Sequence, residues 1–492
     1  MTTPTLIAPA HALIASAAPD APALVFPDQT LSHGQVSRLG QAFARRMTEA
    51  GIGPGSQIYL DCIEPTVILA TVLGASWVGA QLLPYGDADR LTGTLKVTHQ
   101  LGVAHPDLPP KDGVILIDQS WSPASTGAWD AQTLPDPDAP FLCVHTSGTT
   151  GTPKYLCLSQ AQVLARSRAV SDEFQAGSRH ALLFAAYSRP FLARALAALL
   201  NVSTLVFNLA PKAWAAAEID MVSGSRAQVK DLLGDVHLTT KCRKLEVIGS
   251  RLPDQEAALL LRSFDLVDDT YGASETSKSY STLWTLDASG RPFRRSGMRD
   301  SRIQLIGAGG QPAGQGEDGM VLIRNDYMAA GYVDDPIATA ASFRDGWFYS
   351  GDMAWQDREG CLHFRDRMDH IVNLRGEKLN ASAIDQILRS VEGIHDAICF
   401  RNPKPGSEDE LFAFVVYEPI ANRLQAIATA RYLITERFGQ HLVPRVIQGV
   451  QGIPREPDGT PDRRACADLI LSFAKKSAKS WDGLGHAKEE NL

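Results

Sequence analysis

The sequence is short of the residues that would make it a disulfide scaffold, a nucleic-acid binder or a membrane protein. Cysteine is scarce, with seven among 492 residues, at positions 62, 143, 157, 242, 361, 399 and 466. None forms a CxxC pair and no Cys/His group has zinc-ligand spacing, which argues against a metal site built from local cysteines. An odd number of scattered thiols suits a reducing compartment, so a cytoplasmic location is expected. Excess positive charge is also missing. The 47 Lys and Arg against 55 Asp and Glu leave a formal charge of −8. That balance argues against broad binding to nucleic acid or anionic membranes but allows a local phosphate pocket. No basic segment precedes the apolar N-terminal residues, so no secretory signal is expected. One uncharged run, residues 66–84, is long enough to cross a bilayer. It contains Thr66, Thr71, Ser76, Gln81 and two glycines and ends at Pro84. A buried helix running into a buried strand is expected there, and no membrane span.

What remains is ordinary globular material, 44% apolar and 21% charged, in a chain long enough for two to four domains. Leu24–Phe26 and Leu31 flank a Pro-Asp turn and predict a hairpin. Val36, Leu39, Phe43 and Met47 recur on one helical face. Helices alternate with apolar strands to about residue 270, the pattern of covered, mostly parallel sheets. Residues 105–140 read as connecting loops. From about 300, short alternating strands at 303–306 and 320–323 predict a β section. After about 365 a smaller unit begins, with a strand–turn (370–375), a helix (382–390), strands (396–400, 411–417), a helix (421–438), a Pro-rich segment (444–462) and a polar tail.

Four stretches carry chemistry. In 145–154, HTSGTTGTPK, glycines let backbone N–H groups form an anion nest, hydroxyls add donors, and Lys154 brings a mobile charge. The spacing is not that of a Walker A loop; the bland alternative is a flexible Ser/Gly turn, which the length and specificity of the string disfavour. Tyr271-Gly272-Ala273-Ser274-Glu275-Thr276 follows an acidic strand, Leu266–Thr270. Its tyrosine can stack on a purine, Gly272 allows close backbone approach, and Glu275 can hold a hard cation. Asp345–Asp352 ends in a carboxylate able to take two ribose hydroxyls, or to cap a surface turn. Arg367–Lys378 is a charged linker running into a strand and a Gly turn, or an exposed hairpin.

In this order the four stretches resemble the adenylate-forming superfamily of acyl- and aryl-CoA synthetases, amino-acid adenylation domains and firefly-type luciferases. Gly51–Ser56, Gly249–Pro253, Gly331-Tyr332 and Ile453–Arg464 extend the resemblance over nearly the whole chain. It implies an α/β fold: a large multi-sheet N-terminal domain with a β section (1–368), a small mobile α+β C-terminal domain (369–474) and a disordered tail (475–492). It implies ATP or AMP, Mg2+ and coenzyme A as cofactors. A carboxylate would attack the α-phosphate of ATP to give acyl-AMP, and a thiol would then displace AMP.

Residue by residue, the resemblance assigns Thr146, Ser147, Gly148, Thr149, Thr150 and Lys154 to the phosphates. Gly249 and Ser250 fall beside the adenine, Tyr271 stacks on it with Gly272 next in chain, and Ala273 and Ser274 line the α-phosphate and acyl side. Glu275 is the magnesium ligand, Asp352 and Arg367 grip the ribose, and Asp369 is the hinge. Gly376 borders the CoA tunnel, and Tyr187 and Phe191 line the acyl pocket. One departure stands out. The family's late motif carries a lysine that bridges the carboxylate and the α-phosphate, and Thr460 occupies its place. Losing such an electrostatic contact costs ~10²–10³ in rate. Two further departures are Arg251 in the adenine turn and Asp366 before Arg367. The expected function is a CoA-ligase-like enzyme with weak adenylation. The alternatives are a non-adenylating ligase that takes a preformed acyl-adenylate from a partner enzyme, and a nucleotide-binding pseudoenzyme. The thiol acceptor is CoA or a separate carrier protein.

Overall fold

The computed structural model describes residues 6–83, 95–103, 113–124, 133–146, 154–234, 237–249, 252–298, 301–307, 309–364, 371–374, 377–401, 411–455, 461–463 and 465–470. The chain divides into two compact units. The larger comprises Met1–Ser350 with Ala354–His363, and the smaller Phe364–Glu456 with Gly351–Met353.

Two large sheets organise the larger unit. The nine-stranded sheet runs in the order Pro292–Met298, Ser277–Leu286, Phe264–Ala273, Cys242–Ile248, Met221–Ser225, Arg179–Leu182, Thr204–Val206, Pro22–Val25 and Thr30–Ser32. From Phe264–Ala273 to Pro22–Val25 neighbouring strands are parallel, and both edges are antiparallel. The strands Met221–Ser225 and Thr204–Val206 are buried throughout, as expected of a sheet covered on both faces. The six-stranded sheet runs Val114–Ile117, His99–Val103, Gln57–Asp61, Gln81–Leu83, Pro140–Thr146 and Lys154–Ser159, with the last strand antiparallel.

Local sequence starts the helices. Ser32, Ser159 and Ser225 each cap a helix through a serine three residues before a glutamine, and both reciprocal hydrogen bonds form. The uncharged 66–84 run is a buried helix, Pro65–Val78, leading into the strand Gln81–Leu83. Gly79 turns the chain between them at φ 72°, a left-handed conformation that glycine adopts without steric cost. No helix among the described residues is long and apolar enough to cross a membrane.

A five-stranded sheet built from residues 302–364 is the expected β section. In the smaller unit, Ile394–Arg401 pairs antiparallel with Leu411–Tyr417, which pairs parallel with Val446–Gly449. Helices Ala381–Ser390 and Arg423–Phe438 contribute Ile384, Leu388, Ala430 and Ile434 to its core.

Three features differ from the sequence reading. The loop stretch 105–140 contains a strand, Val114–Ile117, and the Pro-rich stretch 444–462 contains another, Val446–Gly449. Both are short, and pairing to a neighbouring strand forms them rather than an alternating pattern of their own. The third concerns the thiols. Cys143 and Cys157 are joined by a disulfide, because the antiparallel pairing of Pro140–Thr146 with Lys154–Ser159 sets them opposite each other. Cys62, Cys242, Cys361, Cys399 and Cys466 are free and buried.

Candidate functional site

The Ser/Thr/Gly stretch joins two adjacent antiparallel strands. Thr146 ends one, Lys154 begins the other, and the two are cross-strand partners. Residues 147–153, and with them Ser147, Gly148, Thr149 and Thr150, lie outside the described residues. Lys154 is half-buried, and its Nζ stands 5.0 Å from the centre of the Tyr332 ring, within cation–π range.

Tyr332 links this strand end to the Tyr271–Thr276 stretch. Its hydroxyl donates to Glu275 Oε1 at 2.7 Å. The next residue, Val333, donates its backbone N–H to the Tyr155 carbonyl at 2.8 Å. The backbone of Glu275 is held as well. Its carbonyl accepts from Ala329 N–H at 2.7 Å and from Arg166 Nη2 at 2.8 Å. Arg166 also donates to the carbonyls of Ser274 and Tyr327, each at 3.0 Å. Glu275 is therefore a buried carboxylate on a fixed backbone, with Oε1 taken by Tyr332 and no hydrogen bond or ion pair to Oε2 among the described residues. One oxygen open to a ligand suits Mg2+, which takes one or two carboxylates and completes its shell with phosphate and water.

Tyr271, Gly272 and Ala273 finish the strand Phe264–Ala273, and Ser274 follows it, all four half-buried. The close approach that Gly272 permits is to its own chain. A Cβ there would lie 2.3 Å from the Ser277 carbonyl oxygen, at a register shift between the two strands. Gly249 follows the strand Cys242–Ile248 and is exposed, while Ser250 is outside the described residues. Asp352 is half-buried in the strand Trp347–Gln356, among residues grouped with the smaller unit. Tyr187 is half-buried against the main core. Phe191, 1% exposed, packs within that core near Phe207.

Arg367, Asp369, Gly376 and Thr460 lie outside the described residues, as does the expected 368/369 boundary. Arg455 and Arg463, on either side of Thr460 in the chain, are described. Arg455 pairs with Asp396, and Arg463 pairs with the buried Asp385 at 2.6 Å.

Behind the Tyr271 strand lies a charge network that the sequence did not announce. Lys278 Nζ contacts Glu173, Glu246 and Asp268 at 2.7, 2.8 and 2.9 Å. Lys244 contacts Asp268 at 2.6 Å and Glu173 at 3.3 Å. Arg194 makes a two-point bond to Glu246 at 2.6 and 2.8 Å. Burial pushes Asp268 up, but Lys278 and Lys244 more than reverse it and leave it at about 2. The three carboxylates converge closely enough to hold a metal ion, but the Lys278 ammonium already bonds all three. Arg166, Tyr332 and this network were missed because each joins residues distant in sequence. Only Gly331-Tyr332 left a trace, as part of the family pattern.

Residues 13–333 match the family model "AMP-binding enzyme". The chain is 27% identical to a sulfoacetate–CoA ligase of Cupriavidus necator, over 90% of this chain and 94% of that one. It is 24% identical to a delta-poly-L-ornithine synthetase of Acinetobacter baumannii, but spans only 38% of that protein. Among solved structures, ATP-bound MatB from Rhodopseudomonas palustris shares the fold with a TM-score of 0.75 at 19% identity, covering 94% of this chain and 99% of that one. The protein belongs to the AMP-binding enzyme family, the adenylate-forming superfamily that its motifs resemble.

Proposed function

We propose that the protein is an acid–thiol ligase of the acyl- or aryl-CoA synthetase kind, with a weak adenylation half-reaction. The observation that supports this most is the convergence of Lys154, Tyr332 and Glu275, which come from three separate motifs. A cation next to a carboxylate with one open oxygen suits a nucleotide polyphosphate and its metal. In this reading Lys154 and the 147–153 segment hold the β- and γ-phosphates, and Glu275 would hold Mg2+, which neutralises phosphate charge when bound. Tyr332 fixes the Glu275 carboxylate. Tyr271 stacks on the adenine, and Asp352 with Arg367 takes the ribose.

Chemically, a carboxylate oxygen of the acid bonds to the α-phosphorus as pyrophosphate leaves. A thiol sulfur then bonds to the acyl carbon as AMP leaves and the thiol proton is released. Thr460 bears on the first step alone. A neutral hydroxyl cannot offset charge developing between carboxylate and α-phosphate. This favours, as a second reading, a ligase that takes preformed acyl-adenylate to CoA. Gly376 at the thiol tunnel and Asp369 as pivot belong to the transfer step.

Two assays run side by side test the proposal: ATP–pyrophosphate exchange over a panel of acids, and thioester formation from synthetic acyl-adenylates with CoA. Transfer should be faster than exchange. Thr460→Lys should raise exchange by up to ~10²-fold and leave transfer unchanged. Exchange as fast as transfer in the unmodified protein overturns the role given to Thr460. Absence of both reactions overturns the ligase reading.

A further inference from the structure

Two of the seven cysteines differ from the rest. Cys143 and Cys157 are joined by a disulfide, while Cys62, Cys242, Cys361, Cys399 and Cys466 are free and buried. Burial pushes the Cys242 thiol up to about 11 and the Cys466 thiol up to about 12. It raises the Cys62, Cys361 and Cys399 thiols as well. Thiol–disulfide exchange needs a thiolate, so these five are poor at attacking the disulfide and poor at taking an external reagent. Redox chemistry in this chain therefore falls to the bonded pair.

The surroundings of the pair suit its opening. Leu83, Leu95, Tyr155 and Val333 pack with the two cysteines. Into this apolar cluster the strand Gln81–Leu83 sends an amide. Gln81 is 8% exposed, and its Nε2 lies 2.9 Å from Cys143 Sγ and 2.8 Å from Cys157 Sγ. A disulfide sulfur is a weak acceptor and a thiolate a strong one, so the amide contributes more once the bond has opened. Cys143 is 2% exposed and Cys157 half-buried, which sets the direction. A thiolate of an external dithiol attacks Cys157 Sγ, the S–S bond breaks, and Cys143 Sγ leaves as a thiolate bonded to the Gln81 amide. The reagent's second thiolate then attacks its own sulfur in the mixed disulfide, and Cys157 Sγ leaves. Two electrons and the reagent's two protons pass to the protein sulfurs, and the reagent becomes a disulfide.

The pair lies close to the Lys154 cluster. Cys143 and Cys157 are cross-strand partners, and so are Thr146 and Lys154, three residues further along the same two strands. Val333 packs with the cysteines and donates its N–H to the Tyr155 carbonyl, and its chain neighbour Tyr332 bonds Glu275. The closed disulfide thus holds both the strand that carries Lys154 and the residue next to Tyr332. We propose that Cys143 and Cys157 form a reversible redox site, opened by a dithiol reductant, whose closed form preorganises Lys154, Tyr332 and Glu275 for a metal–nucleotide. Groups already held in place bind a ligand at a smaller ordering cost. The effect on the nucleotide rests on the ligase reading, and the redox chemistry does not.

The test treats the full chain, without denaturant, with dithiothreitol or with oxidised glutathione. Alkylation followed by mass analysis counts the reactive thiols, and calorimetry measures binding of a non-hydrolysable ATP analogue with Mg2+. Dithiothreitol should make Cys143 and Cys157 alkylatable, and oxidised glutathione should restore the bond. The oxidised form should bind the analogue ~3- to 10-fold more tightly than the reduced form. Cys157→Ser should bind as the reduced form does and lose the redox response. Gln81→Met, which keeps the bulk and removes the amide, should slow reduction by ~10-fold and leave the affinity of the oxidised form in place. A disulfide that never forms, or opens only in denaturant, overturns the redox site. Equal affinity in the two forms overturns its coupling to the nucleotide, and an unchanged reduction rate in Gln81→Met overturns the role of the amide. Analogue binding absent from both forms overturns the nucleotide reading, while reversible alkylation at 143 and 157 still supports the redox site.

Discussion

Lys154 and Lys278 are the same side chain in the same unit, used in opposite ways. Lys278 is 4% exposed and bonds three carboxylates within 2.9 Å. Burial works against its charge, but Asp268 and Glu246 outweigh burial and raise its proton affinity. Lys244, on two of the same carboxylates, is lowered by burial and by the Lys278 charge beside it. Lys154 is half-buried, at the end of an edge strand with an aromatic face 5.0 Å away. A lysine surrounded by carboxylates is part of the framework, and one at a strand end with only an aromatic face beside it can turn to a ligand.

Lys278→Met should break this contrast most. It leaves three buried carboxylates short of a cation, and loss of one partner in such a site costs about 3–5 kcal/mol. A urea unfolding curve would read this as a large drop in midpoint, and an unchanged midpoint would remove the framework role. Glu275→Gln should instead spare the unfolding curve and weaken Mg2+-dependent binding of an ATP analogue by ~1.5–3 kcal/mol.

The pH dependence sharpens the contrast further. His180 is buried with a serine hydroxyl on Nε2 rather than a carboxylate, and burial lowers it from 6.5 to about 4. His11 is lowered to about 3 by burial and by His33. An imidazole with a depressed pKa takes up its proton more readily when unfolded. Stability should therefore fall as pH drops below 6.5, by up to ~1.4 kcal/mol per pH unit for each group, until about pH 4 for His180. Urea midpoints measured from pH 7.5 to 4.5 check this, and His180→Gln should flatten the slope. The smallest expected effect is that of Tyr332→Phe. It removes the bond to Glu275 and should weaken metal–nucleotide binding by ~1 kcal/mol, read by the same calorimetry.

Elements with a period of their own were legible in sequence. The 36–47 apolar face became the helix His33–Glu49, and the Pro-Asp turn became the hairpin of Pro22–Val25 with Thr30–Ser32. The motifs were legible too, since glycines, hydroxyls and a lysine in a short run carry a local chemical meaning. Partners created by strand order were not legible. Cys143 meets Cys157, Lys278 meets Glu173, and Arg166 meets Glu275 only because sheet pairing and helix packing bring distant segments together. Gly272 lay between these cases. Its need for close approach was readable, but what approaches it, the Ser277 carbonyl, was not.

Calorimetric titration of Lys154→Ala with a non-hydrolysable ATP analogue and Mg2+, alongside its urea unfolding curve, bears most directly on the nucleotide site. Loss of one charge-assisted phosphate contact should weaken binding by ~10- to 100-fold and leave the unfolding midpoint of the unmodified protein in place. Unchanged affinity would contradict the assignment of the Lys154, Tyr332 and Glu275 cluster to the phosphates, and a midpoint lowered as far as that of Lys278→Met would make Lys154 a framework residue.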